Sequence, residues 1–240
     1  MEEITLKTLY RQLLLKLSEK LPGAVTVKFC FQCGKLFPKA KNAGLLFVGR
    51  CTNGWHSYSN DVDELFDQNS PQCVFKKDAI RCMFEGKDPY NPNLSSFWRV
   101  TKRIAEYFYG DSWFDYVAWT NLFKIAPEEG NCGAKLGGLQ YKYVVDILRV
   151  EVEILSTKVI IFFTGDEAKD WITTDFIKAV TESSIMPSFN KTAWGKYSFS
   201  WAIIEERLII ITEHPQGKPE ETHWQALLQC ICKLPLWKMV

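Results

Sequence analysis

Gly44-Leu45-Leu46-Phe47-Val48-Gly49 decides the fold class. Four consecutive apolar residues between glycines show no alternation of period two, so the strand they predict is buried on both faces. Three later segments have the same character: Tyr116 to Leu122, Lys158 to Gly165, and Leu208 to Thr212. Helical patterns stand between them. Ser95 or Ser96 opens a helix whose stripe is Phe97, Val100, Ile104 and Phe108. A Gly-rich loop from Gly130 to Gly138 leads into a helix over about 139–156, and another follows near 166–180. A C-terminal helix begins near Glu220 and carries Trp224, Leu227, Leu228 and Ile231. Short buried strands alternating with helices predict an α/β protein: a largely parallel sheet covered on both faces, with central strands 44–48, 116–121, 158–164 and 208–212.

Toward the N-terminus, Ile4, Leu6, Leu9, Leu13 and Leu17 predict a helix over 3–20, ended by Pro22-Gly23. Val25 to Phe31 reads as an edge strand. Residues 60–93 are polar, with one helix expected near 71–84. Tyr197 to Ile204 forms a hairpin with the 208–212 strand around Glu205-Glu206-Arg207. Neither an internal repeat nor a linker divides the 240 residues, so a single domain is expected.

Composition narrows the function classes. Lys plus Arg total 29 against 28 Asp plus Glu, a net charge of +1. That excludes gripping nucleic acid by bulk charge but leaves room for a local basic patch. The longest apolar runs, Val159 to Phe163 and Leu208 to Ile211, are too short to span a bilayer. The chain opens on Glu2-Glu3 without an export signal, so its eight cysteines are expected as thiols in a reducing, cytoplasmic compartment. Nine Trp within a 14% aromatic share fill a core or stack on something flat.

Parallel sheets bind ligands beyond the C-terminal ends of their strands. Three ends carry polar residues of interest: Asn53 with His56, Asn121, and His214. A strand, Gly and polar loop at 45–54, a strand ending in Asn at 116–121, a strand and Gly at 158–165, and a strand followed by His-Pro at 208–215 resemble, in that order, the uracil-DNA glycosylase superfamily. Phe97-Trp98-Arg99 before a helix is similar to its mismatch-specific branch. The resemblance covers about residues 44–232, leaving 1–43 as an N-terminal helical and edge extension. It implies a three-layer α/β/α sandwich around a small, mostly parallel sheet, DNA as partner and a monomeric hydrolase. The first loop, Arg50-Cys51-Thr52-Asn53-Gly54-Trp55, lacks the family's Pro, and Gln216-Gly217-Lys218 stands where the family has an apolar wedge. Gly86-Lys87-Asp88-Pro89-Tyr90 nearly repeats the family's first-loop motif, but no buried strand precedes it, and it reads as an ordinary loop.

The implied chemistry is cleavage of the N-glycosidic bond of a flipped, damaged or deaminated base. His214 would donate to the leaving base. Asn121 would read the base edge. Asn53 would orient water. Trp55 or Tyr58 would stack on the base beside Gly49, and Arg99, Lys102, Arg103 and Lys218 would meet phosphates. Each also has a plainer reading: a structural His, turn-capping Asn side chains, a tight Asn-Gly turn, a solvated helix face. Cys30-Phe31-Gln32-Cys33 matches family branches that hold a four-iron cluster, which needs four thiolates. Ile125 stands where one of the other two would be and Cys132 is nearby, so neither a cluster nor a zinc site is expected. A catalytically inactive member that binds nucleic acid or a nucleotide is the competing reading, and an unrelated α/β small-molecule-binding protein is the third.

Overall fold

A computed structural model describes residues 2–37, 44–52, 55, 57–76, 78–164 and 171–233. Its centre is a sheet of seven strands. In chain order the elements are α1 Glu2–Lys20, β1 Thr26–Lys28, β2 Gln32–Cys33, β3 Leu45–Gly49, α2 Val62–Leu65, α3 Ala79–Phe84, α4 Ser96–Tyr109, β4 Val117–Asn121, β5 Ile125–Pro127, α5 Ala134–Leu155, β6 Val159–Phe163, α6 Thr174–Thr181, β7 Asn190–Trp194, β8 Tyr197–Ile204, β9 Arg207–Thr212 and α7 Glu220–Cys232. The sheet order is β2-β4-β3-β6-β9-β8-β7.

The four expected central strands are adjacent and mutually parallel. β2 and β8 run antiparallel to that centre, and β7, antiparallel to β8, runs with it, so the sheet is mostly parallel with antiparallel pairings at its flanks. Every residue of β3, β4 and β6 is buried, as two-sided burial requires. Alternate side chains sort to opposite faces. Leu46, Val48, Ile160, Phe162 and Ile209 join a core with residues of α1, α5 and α6. Leu45, Phe47, Ile161, Phe163, Leu208 and Ile210 join a second core with residues of α4 and α7. Helices therefore cover both faces of the sheet.

Several local expectations shift. The Val25–Phe31 segment is not the edge of the main sheet: β1 pairs with β5 in a separate two-stranded sheet, and β2 takes the edge beside β4. Leu6, Tyr10 and Leu13 of α1 are buried in the first core, and the Tyr10 hydroxyl donates to the Phe29 carbonyl. The helix expected from 139 begins at Ala134, taking Gly137 and Gly138 into it. A Cβ at Gly137 would lie 3.0 Å from Phe123 Cζ, so glycine permits close packing there. The helix expected over 71–84 is confined to Ala79–Phe84. The one near 166–180 starts at Thr174, where the Thr173 hydroxyl accepts from Phe176 N–H. Residues 165–170 lie outside those described.

One buried ionic network ties α5 to the sheet. Lys124 Nζ lies 2.6 Å from Glu151 Oε2, and both side chains are fully buried. Thr120 Oγ1 donates to the same carboxylate at 2.8 Å. No described helix is long and apolar enough to cross a membrane.

Candidate functional site

Parallel pairing aligns the C-terminal ends of β3 and β4, with Gly49 opposite Asn121, and sends the chain out of β9 on the same side of the sheet. A cavity of about 510 Å³ opens there. Gly49, Arg50, Cys51, Thr52 and Trp55 line it from the β3 exit, Trp119 and Asn121 from β4, Phe97 and Trp98 from the start of α4, and Glu213, His214, Gln216 and Lys218 from the β9 exit. Of the residues expected to act together, Gly49, Trp55, Asn121, His214 and Lys218 thus meet in one cavity. Asn53 and His56 lie outside the described residues.

Asn121 is 1% exposed, and its Nδ2 has no hydrogen-bond partner. Its Oδ1 crosses over Gly49, where a Cβ would come within 2.4 Å of it. A buried amide donor without a partner loses its hydration uncompensated, so a ligand acceptor at this point is favoured. Trp55 repeats the pattern: it is buried and its Nε1 has no partner. Its ring packs edge-on against Phe29 and Trp119, and Lys76 Nζ lies 4.2 Å from its centroid. Phe97, Trp98 and Trp119 extend the aromatic wall, Trp98 standing edge-on to Trp119 at 4.9 Å.

His214 Nδ1 accepts from the backbone N–H of Gln216 at 3.2 Å. In a neutral imidazole the proton then resides on Nε2, which makes that atom a donor. Burial, reinforced by the charges of Arg50 and Lys218, lowers the His214 pKa to about 4, so the ring is neutral at physiological pH. Behind it, His223 Nε2 lies 2.7 Å from Thr212 Oγ1, and the His223 ring stacks on Trp194 at 4.1 Å. Burial lowers the His223 pKa to about 3, with lesser contributions from Lys218 and His214. Lys218 Nζ is 3.7 Å from Glu213.

Other expected site residues stand elsewhere. Tyr58 does not line this cavity: its hydroxyl donates to Glu128 at 3.1 Å and its backbone N–H to Gln72, so it is no stacking platform for a ligand beside Asn121. Arg99 donates through Nε and Nη2 to Glu220, and through Nη1 to the Asn93 carbonyl, fastening α4 to the start of α7. Lys102 and Arg103 approach Glu106 on their own helix and are not part of the cavity wall. Among the described residues, the basic side chains at the cavity are instead Arg50, Lys76 and Lys218. Cys30 is fully buried, its Sγ 3.7 Å from Glu151 Oε1, and Cys132 N–H donates to Cys51 Sγ. Among the described residues no group of three His, Cys, Asp or Glu side chains is arranged to hold a metal.

Sequence reasoning missed Lys76 and the segment Asp88 to Tyr90. Lys76 sits in a segment without periodicity and carries no signal of its own. Asp88, Pro89 and Tyr90 line the cavity although no strand precedes them, since Ala79–Phe84 is helical. The Gly86 to Tyr90 motif was the available signal. No protein-family model matches the chain, and no curated protein matches it.

Proposed function

We propose that the cavity receives a base flipped from DNA and that the protein is a DNA glycosylase-like hydrolase, a divergent member of the uracil-DNA glycosylase superfamily. One observation carries this reading: the unpartnered Asn121 Nδ2 and the neutral His214, with its free proton on Nε2, share one aromatic-walled cavity. Cleaving an N-glycosidic bond leaves the electron pair on the base and positive charge on the sugar. Donors fixed in advance stabilise the departing base without reorganising, as in an oxyanion hole. His214 Nε2–H and Asn121 Nδ2–H serve that role, and the Trp55 and Phe97 rings bound the base. Water adds to the sugar carbon, its proton is lost to solvent, and the base anion is protonated after release. Asn53 orients that water in this reading. Lys218, at the cavity, meets a flanking phosphate.

The competing reading is a binding module using the same cavity without hydrolysis. The absence of a carboxylate from Arg50-Cys51-Thr52-Asn53 favours it. Incubation with single- and double-stranded oligonucleotides carrying uracil, hypoxanthine or a thymine mismatch separates the two. Release of a base supports the hydrolase. Binding without release supports the module, and neither binding nor release removes nucleic acid from the function altogether.

A further inference from the structure

We propose a second ligand site, a groove lined by leucines and by Lys28, that binds an aliphatic monocarboxylate. It is separate from the cavity at the strand ends and shares no lining residue with it. Leu14 and Leu17 of α1, Leu21 just beyond it, Val25, and Leu136 of α5 form its apolar part, and Thr26, Asn60 and Lys28 at the end of β1 belong to its polar part. The groove measures about 510 Å³, within the range of small-molecule sites, about 300–1,000 Å³.

Lys28 is 1% exposed. Its Nζ donates to the carbonyls of Thr26 at 3.0 Å and Tyr58 at 2.7 Å, which uses two of its three N–H groups. No carboxylate among the described residues pairs with it. Lys124, also fully buried, is by contrast matched to Glu151. Burial lowers the Lys28 pKa to about 8, and no neighbouring charge offsets that effect. A desolvated cation without a counter-charge is costly, and an anion brought to it recovers electrostatic energy. The apolar walls gain by covering hydrocarbon at the same time.

Among the described lining residues Lys28 is the one charged donor, beside the neutral donors Thr26 and Asn60. The Ser18 hydroxyl already donates to the Leu15 carbonyl and the Tyr58 hydroxyl to Glu128. One ammonium N–H suits a carboxylate oxygen. A phosphate, with its several acceptor oxygens, calls for a cluster of donors.

Calorimetric titration of the full chain with octanoate and with octanol tests the proposal. Octanoate should bind about tenfold or more tightly than octanol, the scale of one hydrogen bond to a charged group. Lys28→Met should abolish that preference and raise the melting temperature, because it removes an unmatched buried charge. Val25→Glu, at a position 64% exposed, should weaken octanoate binding while leaving the fold intact. Equal affinity for the two compounds, octanoate binding unchanged by Lys28→Met or Val25→Glu, or no octanoate binding up to its solubility limit would overturn the proposal. Should Lys28→Met fail to fold, the octanol comparison and Val25→Glu decide the matter.

Discussion

Replacing Gly49 with Ala tests the contact that fixes Asn121. The added Cβ would lie 2.4 Å from Asn121 Oδ1. A carbon–oxygen contact normally starts near 3.3 Å, so the overlap is roughly 1 Å. Asn121 is buried but borders the cavity, so its carboxamide can relieve the clash only by leaving its position over Gly49. Overpacking of this kind costs about 2 kcal/mol, or roughly 4–8 °C in melting temperature for a chain of this size. The assay is a double-mutant cycle by thermal and urea unfolding. In an Asn121→Ala background the clash is gone. Gly49 does not have a positive φ, so Gly49→Ala should there be neutral or stabilise by up to about 1 kcal/mol through the unfolded chain. Equal destabilisation in both backgrounds would refute the reasoning, because the added methyl would then be meeting something other than Asn121.

Three further outcomes are expected. Folded-state pKa values of about 4 for His214 and about 3 for His223 lie below the ordinary 6.5, so the stability that these neutral rings contribute is complete above the unfolded pKa and is lost as pH falls from 6.5 through 4 to 3. Unfolding free energy measured across that window should fall less steeply for His223→Gln than for the wild type; parallel curves would contradict the assignment. Lys124→Met leaves the Glu151 carboxylate buried without its cation and should cost about 3–5 kcal/mol in urea unfolding, most of it recovered when Glu151→Leu is added. Arg99→Ala should lower the melting temperature without changing oligonucleotide affinity, whereas Lys218→Ala should reduce the salt dependence of binding by about one phosphate contact; the reverse pattern would return phosphate binding to α4.

The four parallel strands were legible because burial on both faces leaves runs of apolar residues that no other element explains. The same runs located two of the cavity's side chains, since Asn121 ends β4 and His214 stands two residues beyond β9. Of the flanking strands, β8 was read with its observed bounds, Tyr197–Ile204, and β7 and β2 were not. β7 is mostly exposed and mixed in composition, and β2 has only two residues, so neither carries a pattern of its own. The start of α5 was hidden by Gly137 and Gly138, which helix propensity disfavours, although Phe123 packs closely on Gly137. Tyr58, Arg99 and Lys76 show a different limit. Tyr58 and Arg99 looked available but are engaged by Glu128 and Glu220. Lys76 looked unremarkable but reaches the Trp55 ring. Those partners are distant in sequence, and no local rule announces them.

The most direct test of the proposed function is the single-turnover rate of base release by wild type and His214→Ala on whichever oligonucleotide the wild type cleaves. In the proposed reaction His214 Nε2–H would donate to the departing base, so its removal should slow release by roughly 100-fold or more, the effect of losing one preorganised donor, while oligonucleotide affinity stays close to wild type. Equal rates of release in the two proteins would contradict that role and, with it, the assignment of this cavity as the site of glycosidic cleavage.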